Sequence, residues 1–132
     1  MLEGKLTEQK KQGGKDDFTQ MVSEILTSRN QAHIFHLQTK SFAEHKALND
    51  YYDEIVDLVD AYVEAYQGAY EQIKSFPSAF HQPKDIVKYL QSLQKFVKEA
   101  RNDLPEDEQL CNLVDAIADL IDSTTYKLRF LK

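Results

Sequence analysis

The 132 residues carry 16 Lys and Arg against 22 Asp and Glu, a net charge of −6, with 42% apolar residues, four Gly, three Pro and no Trp. A chain of this length makes one domain that buries about two-thirds of its unfolded surface, and the composition excludes collagen-like and low-complexity classes. No apolar run approaches the roughly 18 residues needed to span a bilayer, the first residues lack the apolar core of a signal peptide, and the single Cys111 allows no internal disulfide. The expectation is a cytoplasmic protein with no membrane association, whose acidic surface opposes broad nucleic-acid binding.

Residues 1–15 hold Lys5, Lys10, Lys11 and Lys15 against Glu3 and Glu8, a local +2 that leaves −8 on the rest of the chain. With Gly4, Gly13 and Gly14 and little apolar content, this stretch reads as a flexible arm. Its lysines are the candidate contact for weak, salt-sensitive DNA binding.

The remainder, 16–132, reads as a single bundle domain. Apolar residues recur at helical spacing from Phe18 through Met21, Val22, Ile25, Leu26 and Arg29 to Ala32, His33 and His36. They mark a first helix over 16–38, capped by Asp16 or Asp17. Gln38-Thr39-Lys40-Ser41 makes a corner, because Ser41 followed by Glu44 forms a capping box for a second helix. That helix buries Leu48, Tyr51, Tyr52, Ile55, Leu58, Val59, Tyr62, Val63 and Tyr66, with Gly68 as its terminator. A short crossover follows, holding a helical piece at Tyr70–Phe76. Pro83 starts the third helix, faced by Ile86, Val87, Leu90, Leu93, Phe96, Val97 and Ala100. The fourth begins at Pro105-Glu106-Asp107-Glu108, acids at the positive end of its dipole, and buries Leu110, Leu113, Val114, Ile117, Leu120, Ile121, Leu128 and Leu131. No strand pattern is present. The fold class is therefore all-α, a four-helix bundle. Helix two has more apolar width than one core stripe needs, which predicts a homo-oligomer.

Three of the four histidines, His33, His36 and His45, cluster before an acidic run, Asp53, Asp57, Asp60 and Glu64, a donor mixture that suits iron, manganese or zinc. Taken singly, a histidine on a helix is more often a hydrogen-bonded core or surface residue than a ligand, and an acid every three or four residues is usually part of a solvated face. His81, in the crossover, has no acid near it in sequence and receives no role. Cys111 has no His within twenty residues, so no nucleophilic arrangement is identifiable.

The run His36-Leu37-Gln38-Thr39-Lys40-Ser41-Phe42-Ala43-Glu44-His45, then Asp60 and Glu64, resembles the Dps family of mini-ferritins. The carrying spacings are fifteen residues from His45 to Asp60 and four to Glu64. In wording it is also similar to small ferritin-like proteins of tailed phages. The resemblance implies a ferritin-like bundle with a ferroxidase centre that holds iron as a di-iron site. There, His36 and His45 of one subunit would face Asp60 and Glu64 of another, built from two-fold dimers or a shell, with Asn49 as an additional candidate ligand. His33, twelve residues before His45, competes with His36 for the first histidine position. His36 is favoured because it abuts the corner. The alternative function is a metal-free helical interaction or structural protein.

Overall fold

In the computed structural model, the backbone is described for residues 2–77 and 83–131 and the side chains from Lys15 onward within those ranges. His81 and the arm lysines Lys5, Lys10 and Lys11 therefore lie outside the described side chains. Among the described residues four α-helices form: α1 over Leu2–Gln38, α2 over Phe42–Ala69, α3 over Ile86–Ala100 and α4 over Glu108–Phe130, with a 3₁₀ turn at Arg101–Asp103 between the last two. No strand occurs among the described residues.

Cross-helix pairs give the directions of the helices. Ser28 meets Tyr51 and His36 meets His45, so α1 and α2 are antiparallel. The Tyr70 hydroxyl donates to Asp107, which puts the end of α2 beside the start of α4. Gln94 Nε2 donates to Asp122 at 2.8 Å and Arg101 Nε to Asp115 at 2.7 Å, so α3 is antiparallel to α4 and parallel to α2. The connectivity is up-down-down-up. Around the bundle α1 packs on α2 and α3, and α4 packs on the same two, so α2 and α3 stand at diagonal corners.

The core follows the apolar stripes. Phe18, Met21, Ile25, Leu48, Tyr51, Ile55, Tyr62, Tyr66, Leu90, Leu110, Ile117 and Ile121 are buried. Phe18 stacks on Tyr66 with centroids 3.9 Å apart and tilts against Tyr62 at 5.0 Å. Two expected core positions are exposed: Leu26, on the side of α1 away from both neighbours, and Leu131, one residue past the end of α4. In place of Leu26, the small polar residues Thr27, Ser28 and Gln31 are buried on α1. Tyr51 and Ser28 explain how that is tolerated. The Ser28 hydroxyl donates to the carbonyl of Ile25, so the Tyr51 hydroxyl must donate to Ser28 Oγ, 2.6 Å away. Burial pushes the Tyr51 phenol well above its ordinary range, which keeps it the donor.

Several predicted boundaries move. α1 does not start at Asp16 or Asp17, since both lie inside a helix that runs from Leu2. Lys15 there pairs with Glu71 at 3.1 Å, an exposed bridge of small worth. Ser41 does cap α2, accepting from the Glu44 N–H at 3.2 Å. Its own N–H, however, goes to Thr39 Oγ1 rather than to Glu44, so only half of the capping box forms. Gly68 does not end α2: no glycine among the described residues has positive φ, and the helix continues to Ala69.

Tyr70–Phe76 is not helical. The topology supplies the reason: residues 70–85 must carry the chain back to the end of the bundle where α3 begins. Sixteen residues reach up to about 3.3 Å each when extended but only about 1.5 Å each as helix. The crossover is thus a return along the bundle, not a short corner. Ile73, buried in it, is held by its N–H on Gln67 Oε1 at 3.0 Å. α3 starts at Ile86 rather than Pro83, because the Asp85 carboxylate takes the N–H groups of Val87 and Lys88. α4 starts at Glu108, and Asp107 makes no side-chain cap because its carboxylate accepts from Tyr70.

Candidate functional site

The corner between α1 and α2 brings two distant residues into one structure. The turn is tight: Thr39 N–H returns to the Phe35 carbonyl at 2.9 Å, and His45 N–H bonds the Ser41 carbonyl at 2.9 Å. This places the last turn of α1 against the first turn of α2. His36 Nδ1 lies 2.7 Å from the backbone oxygen of His45, and His45 Nδ1 lies 3.0 Å from the backbone oxygen of His36. A carbonyl oxygen only accepts, so each Nδ1 carries a hydrogen, and in the neutral form of either ring the lone pair is on Nε2. His36 is buried, while His45 is exposed. The two rings stack, with centroids 3.6 Å apart and planes inclined by 22°.

Around this pair the other candidates take distinct places. His33 stacks on Tyr52 with centroids 4.3 Å apart, and Tyr52 also meets the edge of His36 at 5.3 Å. Asn49 accepts from the Tyr52 hydroxyl at 2.7 Å and donates to Asp53 at 3.3 Å. The aromatic floor supplied by Tyr52 was missed in the sequence, where Tyr52 reads as one more member of a core stripe. The signal available was its position seven residues after His45, on the same side of α2. Asp60 and Glu64 are exposed on α2. Fifteen residues of helix put Asp60 about 22 Å from His45, so one copy brings the two histidines together and leaves the two acids apart from them. Among the described residues no group of three or more His, Cys, Asp or Glu is placed to hold a metal ion.

The donor chemistry of the pair is specific. An imidazole whose Nδ1–H is anchored on a carbonyl has the tautomer and fixed orientation found in metal-ligating histidines. Rings 3.6 Å apart and inclined by only 22° hold their lone pairs in nearly parallel planes. They cannot both meet one ion at about 2.0–2.1 Å. Leu37 and Phe42, 72% and 78% exposed, flank the pair. Large apolar side chains so exposed beside a polar cluster are a feature of surfaces that meet a partner.

The fold and corner together define the class: an all-helical bundle with a paired-imidazole corner between its first two helices, and no helix among the described residues long and apolar enough to cross a membrane. The chain belongs to a family of unknown function (DUF5856), whose model matches residues 36–128, from His36 nearly to the end of α4. It is also similar to an uncharacterized 14.6 kDa protein of the mobD-ri intergenic region of Enterobacteria phage T4, at 32% identity over 68 residues. That match covers 50% of this chain and 53% of the phage protein, so the chain spans about half the length of the relative. No solved structure matches.

Proposed function

We propose that the protein is a ferritin-like, Dps-type iron-binding protein that takes Fe(II) as substrate and oxidises it with dioxygen or peroxide at a centre completed between copies. The observation that carries this reading is the reciprocal anchoring of His36 and His45, which leaves both Nε2 atoms as lone-pair donors. The up-down-down-up path with one long crossover supports it, since that is the connectivity of ferritin-like bundles.

In this reading His36 and His45 supply nitrogen ligands from one copy, and the exposed Asp60 and Glu64 supply oxygen ligands from a second. The carboxylates favour Fe(III) over Fe(II) and so make each one-electron oxidation easier. Two Fe(II) give the two electrons that reduce one peroxide to water. Tyr52 holds the ring of His36 from its edge, and the backbone carbonyls hold both rings from Nδ1. Asn49, hydrogen-bonded to Tyr52, supports the ligands rather than joining them.

Native mass measurement with and without Fe(II) tests this. The expected result is an oligomer that gains two iron ions per His36–His45 pair. A protein that keeps its mass when Fe(II) is added overturns the reading.

A second reading, a metal-free helical interaction or structural protein, is favoured by the same hydrogen bonds. They tie α1 to α2 and satisfy the His36 carbonyl in the last turn of α1 without any ion. Elemental analysis of protein purified without chelator separates the two.

A further inference from the structure

Two tyrosines of α2 share the core and differ in what their hydroxyls meet. Tyr51 and Tyr62 are both fully buried. The Tyr51 hydroxyl has Ser28 as its acceptor, whereas the Tyr62 hydroxyl, closed off from water, has no hydrogen-bond partner. A buried phenol nearly always finds one, so this orphan calls for an explanation. Burial, and after it the nearness of Cys111, pushes the Tyr62 phenol above its ordinary range, so it stays protonated as a donor without an acceptor. The groups whose charges act on it are Cys111, Tyr66 and Arg101, and Cys111 and Tyr62 act in turn on Arg101. Tyr62, Cys111 and Arg101 therefore converge at the end of the bundle where Tyr70 joins Asp107. Arg101 cannot serve as the acceptor, being a donor only and committed to Asp115 through Nε at 2.7 Å and Nη2 at 3.2 Å.

Cys111 is the one thiol of the sequence and is half-buried, and its hydrogen points to the Pro105 carbonyl at 3.8 Å. Sulfur is a weak acceptor, and it takes no bond from Tyr62. An oxygen on that sulfur is a much stronger one. We propose that Cys111 is a site of oxidation by hydroperoxides, and that the Tyr62 hydroxyl donates to the oxygen of the resulting sulfenic acid. Sulfur attacks one peroxide oxygen, an S–O bond forms as the O–O bond breaks, and the thiol proton leaves with the other oxygen as water, or as an alcohol from an organic hydroperoxide. Two electrons pass from sulfur to the peroxide. With no second cysteine to close an internal disulfide, the lifetime of the product rests on the groups around it. Neither Cys111 nor Tyr62 belongs to the iron centre proposed above.

Hydrogen peroxide added to the full chain with a chelator present reads the site without iron. After the peroxide is removed and the protein held, dimedone, which traps sulfenic acids, should give one adduct by intact mass on the parent and none on Cys111→Ser. Tyr62→Phe should keep less of the trappable form, by about threefold or more, and more of the sulfinic acid. Urea unfolding gives a second readout. Oxidation should raise the midpoint of the parent, where the orphan donor gains an acceptor, and should not raise that of Tyr62→Phe. Before oxidation Tyr62→Phe should unfold at or above the parent's midpoint, because it sheds an unsatisfied hydroxyl. A folded parent that yields no adduct, equal adducts with and without the Tyr62 hydroxyl, a midpoint shift on oxidation that is the same in both, or a reduced Tyr62→Phe clearly less stable than the parent overturns the proposal.

Discussion

His36 and His45 each hold the other's backbone: the Nδ1 of each ring donates to the carbonyl of the other residue, at 2.7 and 3.0 Å, while the rings stack between. The arrangement is unequal in burial, because His36 is enclosed and His45 reaches solvent. Truncating the two residues should therefore differ in cost. His36→Ala removes a buried ring together with its hydrogen bond to the His45 carbonyl, a core truncation that should cost about 2–5 kcal/mol. His45→Ala removes an exposed ring and its hydrogen bond to the His36 carbonyl, and should cost less, about 1–3 kcal/mol. Urea unfolding of both variants measures the order, and a costlier His45→Ala would contradict it.

Ser28 and Tyr51 make a second prediction, from the direction of their hydrogen bond. Tyr51 donates and Ser28 accepts, since the Ser28 hydrogen is spent on Ile25. Ser28→Ala leaves the Tyr51 hydroxyl buried without an acceptor and should destabilise by about 1–3 kcal/mol. Tyr51→Phe leaves Ser28 still bonded to Ile25 and should cost about 0.5–1.5 kcal/mol. The double variant removes both partners and should be more stable than the sum of the singles implies. Additive costs in a double-mutant cycle would show that the pair is not coupled.

How far the fold was legible follows from which signals are local. The stripes of α2, α3 and α4 repeat within a few residues, and Tyr51, Ile55, Leu90 and Ile117 are buried as their spacing says. The corner was readable from Ser41, whose side chain does cap α2. Tyr70–Phe76 was not, because only the return of the crossover along the bundle forces it open. That path depends on where α3 packs. Likewise the sequence places His36 and His45 nine residues apart, but their mutual backbone bonds depend on the width of a turn that residue types alone do not specify. Asp60 and Glu64 are legible as an exposed pair on α2, and one copy leaves them about 22 and about 28 Å along the helix from His45.

Gly68 offers a simple check on the boundary of α2. It sits within the helix with ordinary backbone angles, and a Cβ built on it meets nothing within 4 Å. Gly68→Ala should then stabilise the protein by about 0.4–1 kcal/mol, by reducing the freedom of the unfolded chain without strain in the folded one. A lower unfolding midpoint for this variant would mean that the position is needed as a helix stop after all.

The last prediction concerns how the proposed centre is shared. Ligands of one ion must all lie within about 2.0–2.2 Å of it, and His45 and Asp60 of one copy are about 22 Å apart along α2. If two α2 helices pack antiparallel about a two-fold axis, the His45 end of one lies beside the Asp60 and Glu64 end of the other, giving two equivalent sites per dimer. A His36→Ala/His45→Ala subunit and an Asp60→Ala/Glu64→Ala subunit should each fail to take up Fe(II) as homodimers. In a mixed dimer one site receives both intact halves and the other both damaged ones, so half of the parent's iron per dimer should return. The measurement is native mass on dimers whose mixed composition is verified by the same spectrum. Verified mixed dimers that bind no iron would exclude the shared site. Any metal would then have to be held within one copy, where His33 and His36, 6.1 Å apart between ring centroids, are the next pair to substitute.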